Sequence, residues 1–197
     1  MHRVAKKLLG NLLTIAITIA LAAPVGAAPV WSGADPMRTI LKGLIDQNGR
    51  PVNDGRFAGR YVLVNFIFTG CGTTCPTQVA ELAQFERKLP PVIRNKLTIL
   101  SISVDPGNDK PQRLKAYAKA FGVTSKSWTF ATGRPDHVMR VVKTFAAMRP
   151  GKAGFDFHST EVRLFDSRHR MIQRYSGAPL ASQQIRNDLE ALMEMSR

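Results

Sequence analysis

The chain has 197 residues, with 28 Lys and Arg against 14 Asp and Glu, and only two cysteines. That length suits one domain around one hydrophobic core, and 44% hydrophobic with 21% charged residues excludes a disordered or collagen-like chain. Two cysteines exclude a disulfide-dense scaffold, a zinc ribbon and any four-thiolate iron–sulfur site within one chain.

A net charge of +14 would suit nucleic acid, but the first residues argue against that partner. Arg3, Lys6 and Lys7 precede an uncharged stretch from Leu8 to Ala34, apolar from Leu12 to Ala23 and broken at Pro24 and Gly26. A basic start, an apolar middle and the small residues Gly26, Ala27 and Ala28 make a secretory signal. The expected organisation is a signal peptide at 1–27, a linker at 28–38 and a folded domain at 39–197. Left uncleaved, the same segment would act as an inner-membrane anchor. Cleavage removes three basic residues and lowers the charge to +11. Export to the periplasm takes the chain away from nucleic acid, leaves its charge to meet acidic partners or membrane surfaces, and exposes its thiols to an oxidising compartment.

The elements follow in order. Leu44 to Val52 carry an Asn48-Gly49 turn between short apolar ends, a hairpin signal. Tyr61 to Phe68 form a nearly continuous apolar run that suits a central strand buried on both faces. After the Cys71-to-Cys75 loop, Pro76 opens a helix to about Lys88 with Val79, Leu82 and Phe85 inward. Leu97 to Val104 read as a second strand, closed by Asp105-Pro106-Gly107. A helix from about Lys110 to Phe121 places Leu114, Tyr117, Ala118 and Phe121 on one face, with Gly122 as its cap. Trp128 to Ala131 read as a strand, Pro135 opens a helix with Val138, Val141, Val142 and Phe145 inward, and Glu161–Phe165 pairs with Met171–Tyr175. A last helix runs from about Ala181 to Met195. This order predicts an α/β fold, a thioredoxin-like sandwich with a central mixed sheet flanked by helices.

Both cysteines fall where a buried strand passes into a helix, at the sheet edge where open α/β folds place ligands. A helix N-terminus favours a thiolate and lowers its pKa. Three intervening residues put the sulfurs about one helical turn apart, able to form a disulfide or converge on one metal ion. Two thiolates under-coordinate most metals, so a histidine is needed. His2 lies in the signal, His169 in a hairpin turn and His137 near a helix start, whereas His158 stands directly before a predicted strand. Two thiolates and an imidazole favour copper in either oxidation state, Cu(I) or Cu(II), with zinc as a competitor. A structural disulfide and a thiol–disulfide oxidoreductase that reduces client cysteines remain open on these residues. Asp105 reads by default as a strand-ending turn residue.

Phe66 to Pro76, with Cys71 and Cys75, resembles the copper-binding motif of the SCO/SenC family of copper chaperones. Ser103 to Pro111 is similar to that family's strand-end motif, and His158-Ser159-Thr160 to its histidine segment. The resemblance covers nearly the whole mature chain, in order. It implies Cys71 and Cys75 as thiolate ligands, His158 as imidazole ligand and Asp105 as a nearby functional acid. It also implies a metallochaperone that delivers copper to the copper-site subunit of cytochrome c oxidase, or prepares that site, together with a thiol reductant.

Overall fold

The computed structural model describes residues 36–145 and 160–196. Six strands form one sheet: β1 (Leu44–Asp46), β2 (Tyr61–Ile67), β3 (Leu97–Ser103), β4 (Trp128–Gly133), β5 (Val162–Phe165) and β6 (Met171–Tyr175). The helices are α1 (Pro36–Leu41), α2 (Thr74–Lys88), α3 (Pro91–Arg94), α4 (Pro111–Ala120), α5 (Pro135–Thr144) and α6 (Ser182–Glu194). Asp54–Arg56 add a short 3₁₀ turn.

The spatial order is β1-β4-β3-β2-β5-β6. β2, β3 and β4 run parallel to one another, whereas β1 lies antiparallel to β4, β5 to β2 and β6 to β5. The sheet is therefore mixed, as expected. All seven residues of β2 are buried, as are all seven of β3; such apolar runs can hydrogen-bond on both edges only inside a sheet.

Side chains alternate across a strand, so Asn65 and Phe66 point to opposite faces. On the Asn65 face, Asn65 meets Gln78 of α2, Phe130 meets Tyr117 of α4, and Tyr175 meets Asp188 of α6. On the Phe66 face, Phe145 at the end of α5 packs edge-on against both Phe66 and Phe165. The two faces thus place α2, α4 and α6 on one side and α5 on the other.

The amphipathic patterns place the right residues inward: Val79, Leu82 and Phe85 of α2, Val138, Val141 and Val142 of α5, and Ile185 and Leu189 of α6 are all buried. The Asn48-Gly49 turn forms with Gly49 at φ +75°, but beyond it the chain makes only a bridge from Pro51 to Ile45. The main partner of β1 is β4. The expected linker ends inside α1, whose Met37, Ile40 and Leu41 are buried. The expected signal peptide at 1–27 lies outside the described residues. No helix among the described residues is long and apolar enough to cross a membrane.

Candidate metal centre

The site begins where β2 stops. Val104 N–H donates to the Ile67 carbonyl at 2.8 Å, the last backbone tie between β2 and β3. Beyond it Phe68 is buried, and a turn closes through Cys71 N–H to the Phe68 carbonyl at 3.2 Å. α2 starts at Thr74, two residues before Pro76, so Cys75 lies inside the first helical turn and Cys71 just outside it. Cys75 is buried and Cys71 half-buried, both as thiols.

Thr73 at the helix cap makes no side-chain capping bond. The Cys71 sulfur takes that place, accepting the Cys75 backbone N–H at 3.3 Å. One of the orphan donors of a helix N-terminus is thereby aimed at sulfur. The three-residue spacing matters here: it lets the first sulfur reach back over the turn that carries the second.

The thiol of Cys75 departs from the expected lowered pKa. Burial pushes it up to about 12, and the neighbouring Cys71 sulfur and the Asp109 carboxylate add to the rise, while a backbone hydrogen bond with Phe68 opposes it. At Cys75 the cost of a buried charge outweighs the helix end. A buried thiol of this kind gives up its proton readily only to something that replaces the positive charge, such as a metal ion.

The acid that shapes the loop is Asp109. Its carboxylate is fully buried and accepts Thr69 N–H at 3.0 Å, Thr69 Oγ1 at 2.5 Å and Ser103 Oγ at 2.6 Å. Arg113 Nε donates to the same Thr69 hydroxyl. Asp109 therefore ties the cysteine loop to the end of β3. Asp105, expected as the supporting acid, uses its carboxylate locally, accepting Asn108 Nδ2 at 2.8 Å and Asn108 N–H at 3.4 Å. These bonds close the turn that follows β3.

A second tie runs through the core. Trp128 Nε1 donates to Ser101 Oγ at 2.9 Å, Ser101 Oγ to Asn65 Oδ1 at 2.7 Å, and Asn65 Nδ2 to Gln78 Oε1 at 2.8 Å. Gln78 Nε2 then donates to the Thr160 carbonyl at 2.5 Å. Gln78 stands one turn beyond Cys75, so this chain fixes the cysteine helix to the start of the segment leading into β5. Gly177 closes over the joint, where a Cβ would collide with both the Thr160 carbonyl and Gln78 Nε2. Neither Asn65 nor Gln78 was singled out from the sequence; a lone Asn in a strand buried on both faces was the available signal, because it must find partners there.

The two histidines among the described residues belong to the fold. His169 is buried with Nε2 3.0 Å from the Phe57 carbonyl, and His137 Nε2 lies 3.3 Å from the Ile40 carbonyl. His158 lies outside the described residues. Among the described residues no cluster of three His, Cys, Asp or Glu side chains converges on a metal position.

A parallel β2–β3–β4 core with a thiol pair at the β2-to-α2 junction defines a dithiol protein of thioredoxin-like α/β architecture. Residues 43–194 match the SCO1/SenC family model, and the chain belongs to that family. A SCO1 protein homolog of Bacillus subtilis (strain 168) is 31% identical over 136 residues, covering 67% of this chain and 70% of that one. The copper-bound structure of Bradyrhizobium japonicum ScoI is 26% identical with a TM-score of 0.62, covering 76% of this chain and 96% of that one. The structure of BsSco, described as having a disulfide switch and as a member of the Sco family of cytochrome c oxidase assembly proteins, is 28% identical with a TM-score of 0.64. It covers 76% of this chain and 90% of that one.

Proposed function

We propose that Cys71 and Cys75 bind copper as thiolates, with His158 as the imidazole ligand. In this reading the chain is a periplasmic metallochaperone that supplies copper to, or prepares, the copper site of cytochrome c oxidase. The observation that carries the proposal is the Gln78–Thr160 bond. It anchors Thr160 to the cysteine helix, and His158 is two residues from Thr160 in the chain, a span of at most about 7 Å.

The donor chemistry supports copper. Soft thiolates select Cu(I), and imidazole adds a ligand suited to Cu(II). A cation also resolves the burial penalty at Cys75, since metal binding displaces the proton that burial retains. Copper bound to the Bradyrhizobium relative and the disulfide switch named for BsSco both support the same use of the pair. Passing two electrons from Cys71 and Cys75 to an oxidant such as a second disulfide, which is reduced to two thiols, would form the Cys71–Cys75 bond, remove both thiolates and release the metal. Export to the periplasm rests on the character of residues 1–27.

The test is a Cu(I) titration of the reduced, metal-free full chain against a competing chelator. One equivalent bound by the wild type and none by Cys71→Ser or Cys75→Ser supports the proposal; a weakened site in His158→Ala completes it. No uptake by the wild type, or uptake unchanged in the cysteine variants, overturns it. Rapid turnover with a disulfide substrate and no copper uptake would show a thiol–disulfide oxidoreductase instead.

A further inference from the structure

β2, β3 and β4 are parallel, so the segments leaving their C-terminal ends share one sheet edge. These are the cysteine loop, the turn after β3 and the start of α5. The turn closes through Asn108 N–H and Asp109 N–H to the Asp105 carbonyl at 3.1 and 2.8 Å. Between it and α5 lies a groove of about 240 Å³, lined by Val104, Pro106, Pro135, Val138, Met139 and Val142. The two prolines bring no N–H to this lining, and the Pro106 carbonyl is taken by Lys110 Nζ at 3.0 Å. Val104, Val138 and Val142 are buried, whereas Met139 remains 38% exposed.

The groove is apolar and its rim is positive. Arg134, Arg140 and Lys143 are exposed, each next in sequence to a lining residue. Asp136 pairs with Arg134 at 3.0 Å and with Arg140 at 3.1 Å. The turn adds Lys110 and Asp105, whose carboxylate is bonded to Asn108. Four cations thus stand against two acids. The same turn ends in Asp109, which holds Thr69, two residues before Cys71.

Size and charge select the occupant. Clefts that bury drug-sized ligands measure about 300–1,000 Å³; this groove is smaller and suits a single apolar side chain. The surrounding cations favour carboxylates on either side of that anchor. A lipid surface would call for apolar side chains that protrude, and here three valines are recessed.

We infer that this groove docks an acidic segment of a client protein, one apolar side chain entering it while carboxylates meet Arg134, Arg140, Lys143 and Lys110. The inference adds a partner surface to the proposed copper site, and rests on that reading only in taking the bound protein to be the recipient of the copper.

The test uses the reduced, metal-free full chain, labelled with nitrogen-15 and titrated with a pentapeptide whose central phenylalanine is flanked by two acidic residues on each side. The amide resonances of Val104, Met139 and Val142 should shift. Met139→Asp, which places a charge at the groove, should weaken binding about tenfold while Cu(I) affinity and the thermal midpoint stay at the wild-type level. Arg134→Glu combined with Lys143→Glu should weaken it to a similar degree and flatten its salt dependence. A peptide with lysines in place of the acids should bind at least tenfold more weakly. No binding of the acidic peptide, shifts away from the groove, or equal binding by Met139→Asp overturns the inference. So does binding to phosphatidylglycerol vesicles, lost in Met139→Asp, by a chain that ignores the peptide. A wild type that binds the peptide but takes up no Cu(I) keeps the docking surface and loses only the copper reading.

Discussion

The two faces of β2 are held by different forces. On the Asn65 face, Trp128, Ser101, Asn65, Gln78 and the Thr160 carbonyl form a continuous line of hydrogen bonds in which each buried polar group has a partner. On the Phe66 face, Arg163 is fully buried, with its guanidinium 5.6 Å from the Phe66 ring centroid and 6.0 Å from that of Phe145. It pairs with Glu161 at 2.8 Å, yet its Nε and a second nitrogen have no partner among the described residues. Burial pulls the Arg163 pKa below its ordinary value, the nearby Arg174 charge lowers it further, and Glu161 opposes both. Hydrogen bonds fix direction and register where packing fixes only volume. The helix carrying Cys75 is hung on the directional face.

The comparison breaks most sharply at Gly177. Gly177→Ala drives a methyl into the Thr160 carbonyl and Gln78 Nε2. The expected loss is about 3 kcal/mol or more, read by chemical denaturation, together with weakened Cu(I) binding, because the cysteine helix loses its anchor. Next comes Asn65→Leu, which leaves Gln78 and Ser101 each short of a partner in the core. It costs about 2–3 kcal/mol by the same measurement.

Asp46 sets the scale for a polar contact away from both faces. It is buried at the sheet edge and accepts Asn48 N–H, Arg50 N–H and the Arg56 guanidinium at 2.8–2.9 Å. Burial alone would raise its pKa, but those donors together hold it below the usual carboxylate value. Asp46→Asn is expected to cost about 1–2 kcal/mol at neutral pH. A carboxylate with a lowered folded pKa stabilises above the unfolded value, about 4, and loses that contribution as pH falls through the folded one. Denaturation of wild type and variant should therefore converge on acidification below about pH 4.

The smallest effect belongs to the other face. Arg163→Met replaces an incompletely paired buried cation by an apolar chain, and stability should change by no more than about 1 kcal/mol in either direction. A loss at Arg163 as large as that at Asn65 would erase the distinction between the faces.

The sequence made the strands and most helices legible because their signals are local. The apolar run of β2 and the period of α5 with its opening Pro135 need no distant partner. The cysteine loop was legible for the same reason, as a short motif at a strand-to-helix junction. α1 was missed because its six residues are too few to show a helical period and begin inside the stretch read as a linker. That Asp109 ties the cysteine loop to β3 was not legible, for a different reason. Asp105 and Asp109 lie in one motif four residues apart, and only the contact with Thr69, 40 residues away in sequence, shows which turns inward. Tyr117 was correctly placed on the inward face of its helix, but spacing cannot reveal that its hydroxyl meets no partner among the described residues.

The proposed site is two sulfurs and one imidazole meeting at a single copper ion. X-ray absorption at the copper edge of the loaded full chain measures this directly. Two sulfur neighbours and one imidazole nitrogen, the nitrogen vanishing in His158→Ala, is the predicted result. A copper shell without sulfur, or one unchanged by the loss of His158, would contradict it.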